Sequence, residues 1–92
     1  MGSVIQKEHE CFFCHRTEGL DKHHIFGAGC RTLSEWYGYT VHLCRKCHIR
    51  VHNEARLRNH LKKIAQKHFE SHHGGREDFI NVFVKSYMED EE

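Results

Sequence analysis

Four of the five cysteines in this 92-residue chain have the spacing of metal ligands. Cys11 and Cys14 form one C-x-x-C pair, Cys44 and Cys47 form a second, and 29 residues separate the two pairs. Each pair can direct two thiolates at one ion from a tight turn, and two pairs complete a tetrahedral shell with no open position. Because a closed shell is typical of structural zinc, the spacing predicts a structural Zn²⁺ that stabilises the fold.

A two-Cys two-His zinc finger is excluded, because its last histidine ligand is missing. Twelve residues separate Cys47 from His60, as in a two-Cys two-His finger, but no histidine follows His60 within three to five residues. The fifth cysteine, Cys30, has no C-x-x-C partner, and we interpret it as a small buried or loop thiol.

Spacing also selects four of the 11 histidines as candidates for a second site. His48 and His52 are four residues apart, so on a helix both imidazoles lie on one face and can share an ion. His23 and His24 are adjacent on a β-prone run, which the first C-x-x-C pair would hold beside the start of that helix. These residues outline an open metal site of His23, His48 and His52, where water or phosphate takes the remaining positions.

The adjacent residues His23 and His24 must have different roles. Neighbouring residues on a regular strand point to opposite faces, so His23 and His24 cannot both bind the same ion. One can be a metal ligand while the other accepts a proton from an attacking water. Imidazole suits this second role because its pKa, about 6.5, is close to neutral pH. A further group, His68, His72 and His73, has no additional partner in the sequence and is interpreted as solvent-exposed.

A hairpin with a long loop is needed to position His23 and His24. Runs at residues 20–26 and 39–43 predict two short strands that pair with each other. Between them, Thr32 and Glu35 have the capping-box spacing of a short helix, which Gly38 is placed to end.

Helices are predicted for the rest of the chain. From Cys44 to Phe69 apolar residues recur mostly at three- and four-residue steps, which predicts one helix that residues 72–75 stop. Acidic residues at 77 and 78 then favour the start of a closing helix. Its apolar face would consist of Phe79, Ile80, Phe83, Val84 and Tyr87.

Length and composition predict one small domain over residues 1–92. A chain with 38% hydrophobic residues can fill one lean core, of the kind that a metal often stabilises. No apolar run of about 18 residues is present, and the start lacks a secretion signal, so we expect a cytoplasmic protein with no membrane partner. A reducing compartment also favours metal ligation by cysteines over disulfides.

The net charge of +1 is small, but the charges are unevenly distributed. Eight basic residues and a single acid, Glu54, lie between Arg45 and Lys67, whereas residues 88–92 are mostly acidic. A basic segment of this kind can contact a phosphate backbone, although a solvated helix face has the same pattern. Arg31 is predicted to bind a phosphate group, with Arg45 and Arg50 as further candidates.

Taken in order over residues 11–52, these motifs resemble the zinc-framed HNH, or His-Me finger, nucleases. The resemblance rests on Cys11-x2-Cys14, His23-His24-Ile25 and Leu43-Cys44-x2-Cys47-His48-x3-His52. It implies an α+β fold with a ββα-metal motif over residues 11–52 and additional helices over residues 53–90. The implied activity is hydrolysis of DNA phosphodiester bonds to 5′-phosphate and 3′-hydroxyl ends, in a bacterial host and in a protein similar to small phage and prophage members.

The resemblance also implies residue roles. By position, His24 corresponds to the general base, and His23, His48 and His52 correspond to ligands of one catalytic cation, which could be Mg²⁺, Mn²⁺, Ni²⁺ or Zn²⁺. The family has an Asn about five residues before the third cysteine, where it braces the loop of the catalytic histidine. Tyr39 stands near that place here.

Two other functions stay open. The missing Asn favours a catalytically inactive, zinc-stabilised DNA-binding module. A structural adaptor is the third hypothesis, which a large exposed apolar face on residues 79–87 would support. For a nuclease, no base-reading helix is evident, so nonspecific or structure-selective cutting is expected, and cutting of both strands would require a homodimer.

Overall fold

A two-stranded antiparallel hairpin followed by helices forms the computed structural model, which describes residues 3–83 and 86–87. This α+β architecture agrees with the predicted class. No helix in these two ranges is long and apolar enough to cross a membrane. The elements are β1 (Leu20–His24), a 3-10 turn (Ala28–Cys30), α1 (Arg31–Tyr37), β2 (Thr40–Cys44), α2 (Arg45–Asn53), α3 (Ala55–His72) and α4 (Arg76–Phe83).

The short helix α1 lies in the hairpin loop, as predicted, but the predicted capping box is wrong. The helix begins at Arg31 after Cys30, and no side chain caps its first turn. Thr32 therefore lies inside the first turn, because the 3-10 turn leads directly into α1. Gly38 ends the helix with a φ of 77°, a left-handed conformation that glycine adopts without steric cost.

The single helix predicted from Cys44 is two helices. Glu54 separates α2 from α3 with extended backbone, φ −120° and ψ 106°. At this break, one guanidinium nitrogen of Arg58 donates to the carbonyl oxygens of Val51 at 3.1 Å and His52 at 2.6 Å. These bonds satisfy carbonyls that the end of a helix leaves without partners, which stabilises the break.

An aromatic core joins the hairpin to the last helices. The ring of Phe26, just after β1, lies 4.3 Å from Phe83, 5.7 Å from Phe79 and 6.0 Å from Tyr39 between centroids. Phe79 and Phe83 are buried, so the described part of α4 has no large exposed apolar face of the kind an adaptor would need. Val84 and the acidic end at residues 88–92 lie outside the described residues.

A buried glutamine attaches the segment after α4 to α3. The side-chain amide of Gln66 donates to Ser86 Oγ at 3.0 Å, and its carbonyl oxygen accepts from the backbone N–H of Tyr87 at 2.8 Å. The ring of Tyr87 then lies 5.8 Å from that of Phe26, with the Lys62 ammonium 4.8 Å from its centroid. These contacts hold Tyr87 close to the end of β1.

Candidate functional site

The four predicted cysteine ligands converge on one point. The Sγ atoms of Cys11, Cys14, Cys44 and Cys47 all lie within 4.8 Å of one another, and those of Cys14 and Cys44 are 3.6 Å apart. A tetrahedral shell with Zn–S bonds of about 2.3 Å places its sulfurs about 3.8 Å apart, so the four thiols fit an ion of this kind. The four cysteines therefore form a group able to bind a metal ion such as zinc.

Cys44 belongs to the cluster and also joins β2 to α2. It is the last residue of β2 and the residue before α2, where its Sγ accepts the backbone N–H of Cys47 at 3.5 Å. The first pair is attached to the same strand, because the N–H of Phe12 donates to the carbonyl of His42 at 2.8 Å. The cluster thus fixes the loop before β1 against the junction of β2 and α2.

The electrostatics of the thiols favour a bound cation. Burial opposes ionisation of Cys11, but hydrogen bonds from backbone N–H groups outweigh it and lower the thiol pKa. Backbone hydrogen bonding lowers the pKa of Cys44 as well, whereas burial, followed by the neighbouring thiols, raises that of Cys47. Four thiolates this close repel one another, so a dication is what allows all of them to ionise together.

Three predicted histidine ligands are neighbours across β1 and α2. The ring centroid of His23 lies 5.3 Å from that of His48 and 6.1 Å from that of His52, and the two helix rings are 4.8 Å apart. The four-residue spacing on α2 places both helix rings toward the strand, as predicted. Within residues 3–83 and 86–87, only the cysteine group already has its ligand atoms converged, so a cation here requires these side chains to close around it.

Burial keeps His23 in the neutral form that binds metals. Burial first, and then positive charge at His48 and His52, lowers the pKa of His23 to about 4. The imidazole is therefore unprotonated near neutral pH and keeps a nitrogen lone pair that can bind a metal ion.

Asp21, which the sequence analysis did not select, orients His48. Its Oδ2 lies 3.1 Å from Nδ1 of His48, and this hydrogen bond contributes most to lowering the pKa of Asp21. An ionised carboxylate only accepts, so Nδ1 carries the proton and Nε2 keeps its lone pair for a cation. Strand alternation places Asp21 on the same face as His23, a signal that was available in the sequence.

The opposite face of β1 holds His24 against α1. Nε2 of His24 lies 2.8 Å from Glu35 Oε1, and Lys22 Nζ lies 2.6 Å from Glu35 Oε2. Hydrogen bonds from Lys22 and then His24 lower the pKa of Glu35, so the carboxylate is ionised and Nε2–H donates to it. Because Nε2 is engaged with Glu35, Nδ1 is the ring nitrogen of His24 that can accept a proton. Sequence reasoning missed this role of Glu35, because only the folded loop brings α1 to β1.

All four histidines border one cavity of about 790 Å³. Arg31, the first predicted phosphate ligand, lines it as well. No Asp or Glu occurs among the described residues of its wall. Its lining consists of Lys22, His23, His24, Ile25, Phe26, Gly27, Gly29, Cys30, Arg31, His48, His52, Arg58, Lys62, Phe83 and Tyr87.

The other two predicted phosphate ligands lie elsewhere. Arg45 pairs with Asp21 at 3.3 Å and Arg50 with Glu54 at 3.4 Å, and neither is among the cavity-lining residues. Arg58 and Lys62 line the cavity instead, four residues apart on α3. Their spacing on one helix face was visible in the sequence, but the direction of that face was not.

Comparisons with protein-family models, curated proteins and solved structures found no match. Function is therefore inferred from the motifs and from the chemistry of the two clusters.

The remaining histidine group is only partly solvent-exposed. His72 and His73 are exposed as predicted, but His68 is half-buried, with Nδ1 3.1 Å from the hydroxyl of Tyr39. The rings of His68 and His72 stack with centroids 4.1 Å apart. The exposed interpretation is thus wrong for His68, because the buried Tyr39, just before β2, reaches it.

Proposed function

We propose that the protein is a metal-dependent HNH endonuclease that hydrolyses DNA phosphodiester bonds, with a structural Zn²⁺ on the four cysteines. The observation that carries this proposal is the placement of His23, His48 and His52 together at a cavity that His24 also borders. Part of the surrounding wall is cationic, which suits a phosphodiester substrate. The order and spacing of the motifs over residues 11–52 support the same conclusion.

The catalytic cation would be held by His23, His48 and His52. A divalent cation bound there supplies Lewis-acid stabilisation of the negative charge that develops on phosphate oxygens during cleavage. The residues fit this task, because His23 is kept neutral and Asp21 leaves Nε2 of His48 available. Three protein ligands also leave positions open for substrate and water.

His24 is assigned as the general base. Its Nδ1 accepts a proton from the water that attacks phosphorus, while Nε2–H donates to the ionised Glu35. The negative charge of Glu35 stabilises the imidazolium that this transfer produces, and the hydrogen bond fixes which nitrogen accepts the proton. Glu35 is accordingly a positioning residue.

Ser34 supplies bracing that the family assigns to an Asn. Tyr39, which stands near that place, points into the aromatic core, and its backbone carbonyl accepts from Ile25 N–H at 3.0 Å. The hydroxyl of the fully buried Ser34 accepts from the N–H of Phe26 at 2.9 Å and donates to its carbonyl at 2.8 Å. The loop that follows His24 is therefore held without an Asn.

Basic side chains on α1 and α3 would bind the phosphates of the DNA strand. Arg31 at the start of α1 and Arg58 and Lys62 on α3 line the same cavity as the histidines. Arg58 is fixed by its bonds to the end of α2, so its charge is placed in advance. Guanidinium and ammonium groups at such sites lower the cost of bringing a phosphodiester to the base.

A plasmid-nicking assay tests the proposal. Purified protein containing its structural metal is given Mg²⁺, Mn²⁺, Ni²⁺ or excess Zn²⁺, beside His24→Ala and the control His60→Ala, an exposed histidine outside the cavity lining. We expect cation-dependent nicking by the wild type and by the control, and at least a hundredfold slower nicking by His24→Ala. Equal nicking by His24→Ala would refute the assignment of the base.

An inactive DNA-binding module is the second candidate, favoured by Tyr39 at the Asn position. Its expected result in the same assay differs. The folded protein would retard DNA in a gel shift but nick it with none of the four cations.

A further inference from the structure

We infer that the cavity beside the four histidines accepts one unpaired nucleobase, so that the preferred substrate is DNA with unpaired nucleotides. This inference rests on the proposed nuclease function and specifies its substrate class. It follows from the size of the cavity and from the division of its wall into a cationic and an apolar part.

The cavity is larger than the chemistry alone requires. Its volume of about 790 Å³ falls in the range of about 300 to 1,000 Å³ that is typical of sites for whole small molecules. A cation and one phosphate group fill only the end next to His23, His48 and His52. The remaining space can hold a group covalently attached to that phosphate, which in DNA is a nucleoside.

The wall beyond the histidines is apolar. From the end of β1 it continues through Ile25 and Phe26 to Phe83 on α4 and the ring of Tyr87. Phe26 and Phe83 are buried, so they form a fixed floor, whereas Tyr87 is half-buried at the edge. Tyr87 is the ring of this wall that is partly exposed, and an exposed aromatic ring can stack on any base without reading its sequence.

The positions of the cations fit a nucleotide. Lys62 is 4.8 Å from the centroid of Tyr87 and lines the same cavity as Arg58 and Arg31, so positive charge lies next to the apolar wall. Phosphate would bind these cations while the attached base contacts the exposed part of Tyr87. No carboxylate among the described lining residues repels the phosphate.

A base in duplex DNA cannot fill this space, because it is stacked and paired inside the helix. Extruding it requires unstacking and unpairing, and this cost is smallest for a base that is already unpaired. A single strand, a flap or a frayed end avoids that cost. The cavity therefore selects DNA by the presence of unpaired nucleotides rather than by sequence.

Binding without cleavage tests the inference directly. A short DNA strand carrying one 2-aminopurine is titrated, single-stranded or annealed to its complement, with zinc-loaded His24→Ala at one fixed salt concentration. We expect the single strand to bind at least tenfold tighter and its 2-aminopurine emission to change on binding. Equal or tighter binding of the duplex would overturn the inference.

Two substitutions at Tyr87 distinguish the effect of losing the aromatic ring from the effect of unfolding. Tyr87→Phe keeps the ring and should bind the single strand within about twofold of the parent, whereas Tyr87→Leu removes it and should bind roughly tenfold more weakly. Circular dichroism checks that both variants fold. If Tyr87→Leu is folded and binds as tightly as Tyr87→Phe, the apolar wall is not the base site.

A glycine pair provides a test that does not remove any contact. A Cβ built on Gly29, which lines the cavity, or on Gly75, which lies before α4 outside the lining, meets nothing within 4 Å. Gly29→Leu should weaken single-strand binding about tenfold, while Gly75→Leu should not change it. Equal effects of the two substitutions would count against an occupied cavity.

Cleavage then distinguishes the two proposals. If no DNA is cut with any cation but the single strand still binds preferentially and depends on the Tyr87 ring, the nuclease proposal fails and the base site stands. If single-stranded and duplex DNA are cut with equal kcat/KM, the nuclease stands and the base site fails.

Discussion

His48 and Asp21 form a hydrogen bond that joins α2 to β1. Nδ1 of His48 lies 3.1 Å from Asp21 Oδ2, and the same oxygen lies 3.3 Å from Nε of Arg45. One carboxylate thus orients a candidate metal ligand and contacts the first residue of its helix. The pair has the form of the carboxylate–histidine–metal arrangements in which the outer partner sets the imidazole tautomer.

Removal of this carboxylate should weaken binding of the second cation. In Asp21→Asn the side chain no longer carries the charge that favours Nδ1–H on His48, so we expect the affinity for Mn²⁺ to fall about 10- to 100-fold. Titration of zinc-loaded protein with Mn²⁺ by calorimetry or electron paramagnetic resonance measures this change.

Glu18→Gln, which removes an exposed carboxylate in the loop before β1, is the control and should bind Mn²⁺ like the wild type. Unchanged affinity in Asp21→Asn would show that the hydrogen bond has no role in cation binding.

Loss of the Glu35 charge should change the pH dependence of cleavage. Glu35→Gln keeps a hydrogen-bond acceptor near Nε2 of His24 but not the charge that stabilises the imidazolium, so kcat should fall about 10- to 100-fold. The acid limb of the pH–rate profile should also move to lower pH. Glu35→Asp, which retains the charge, should recover part of the rate at pH 7.

The exposed Glu77 on α4 offers a matched substitution, Glu77→Gln, with the wild-type profile expected. A Glu35→Gln enzyme that is slower at every pH by the same factor would indicate a purely structural effect.

Loss of one thiol from the cluster should unfold the protein. Cys14→Ser leaves three thiols for the ion, and structural zinc contributes on the order of 10 kcal/mol in small metal-dependent domains. We expect purified Cys14→Ser to contain less than one zinc per chain and to lose its cooperative thermal transition. Metal analysis by mass spectrometry and circular dichroism measure the two effects.

Cys30→Ser is the control, because Cys30 lies outside the four-cysteine group. Its zinc content should equal that of the wild type. A folded, zinc-free Cys14→Ser would mean that the cluster is dispensable for the fold.

Stability should decrease in mild acid through His68. Burial first, and then positive charge at His72 and His73, lowers the pKa of His68 below its unfolded value of about 6.5. As pH falls below that value the unfolded chain binds the proton first, so the free energy of unfolding decreases until the folded-state pKa is reached. Urea denaturation between pH 7.5 and pH 5 measures this slope.

In His68→Gln the slope should be shallower than in the wild type, and in His60→Gln, at an exposed position, it should be unchanged. A His68→Gln protein with the wild-type slope would assign the acid sensitivity to other groups.

Local spacing predicted the four-cysteine group and the helix face that His48 and His52 share. The two C-x-x-C pairs and the four-residue step from His48 to His52 follow from the geometry of one turn, which depends little on the rest of the fold. The strand on which His23 lies was also predictable, because β-prone residues surround it.

The contacts between elements were less predictable. The break at Glu54 carries neither Gly nor Pro, and the apolar pattern continues across it, so nothing local indicates where α2 ends. Glu35 has the spacing of a capping residue, yet in the fold it binds Lys22 and His24, because α1 packs beside β1. Pairings of this kind depend on how the hairpin loop folds back, which a linear pattern does not contain.

The position of Cys44 couples the two candidate metal sites. No residue separates the end of β2 from the start of α2, so the cysteine that belongs to one site is joined rigidly to the helix that carries His48 and His52. Any ion that draws these histidines toward β1 therefore acts on the thiol cluster too. If both sites hold ions, thermodynamic linkage makes this coupling reciprocal, so that each ion would change the affinity of the other by the same factor.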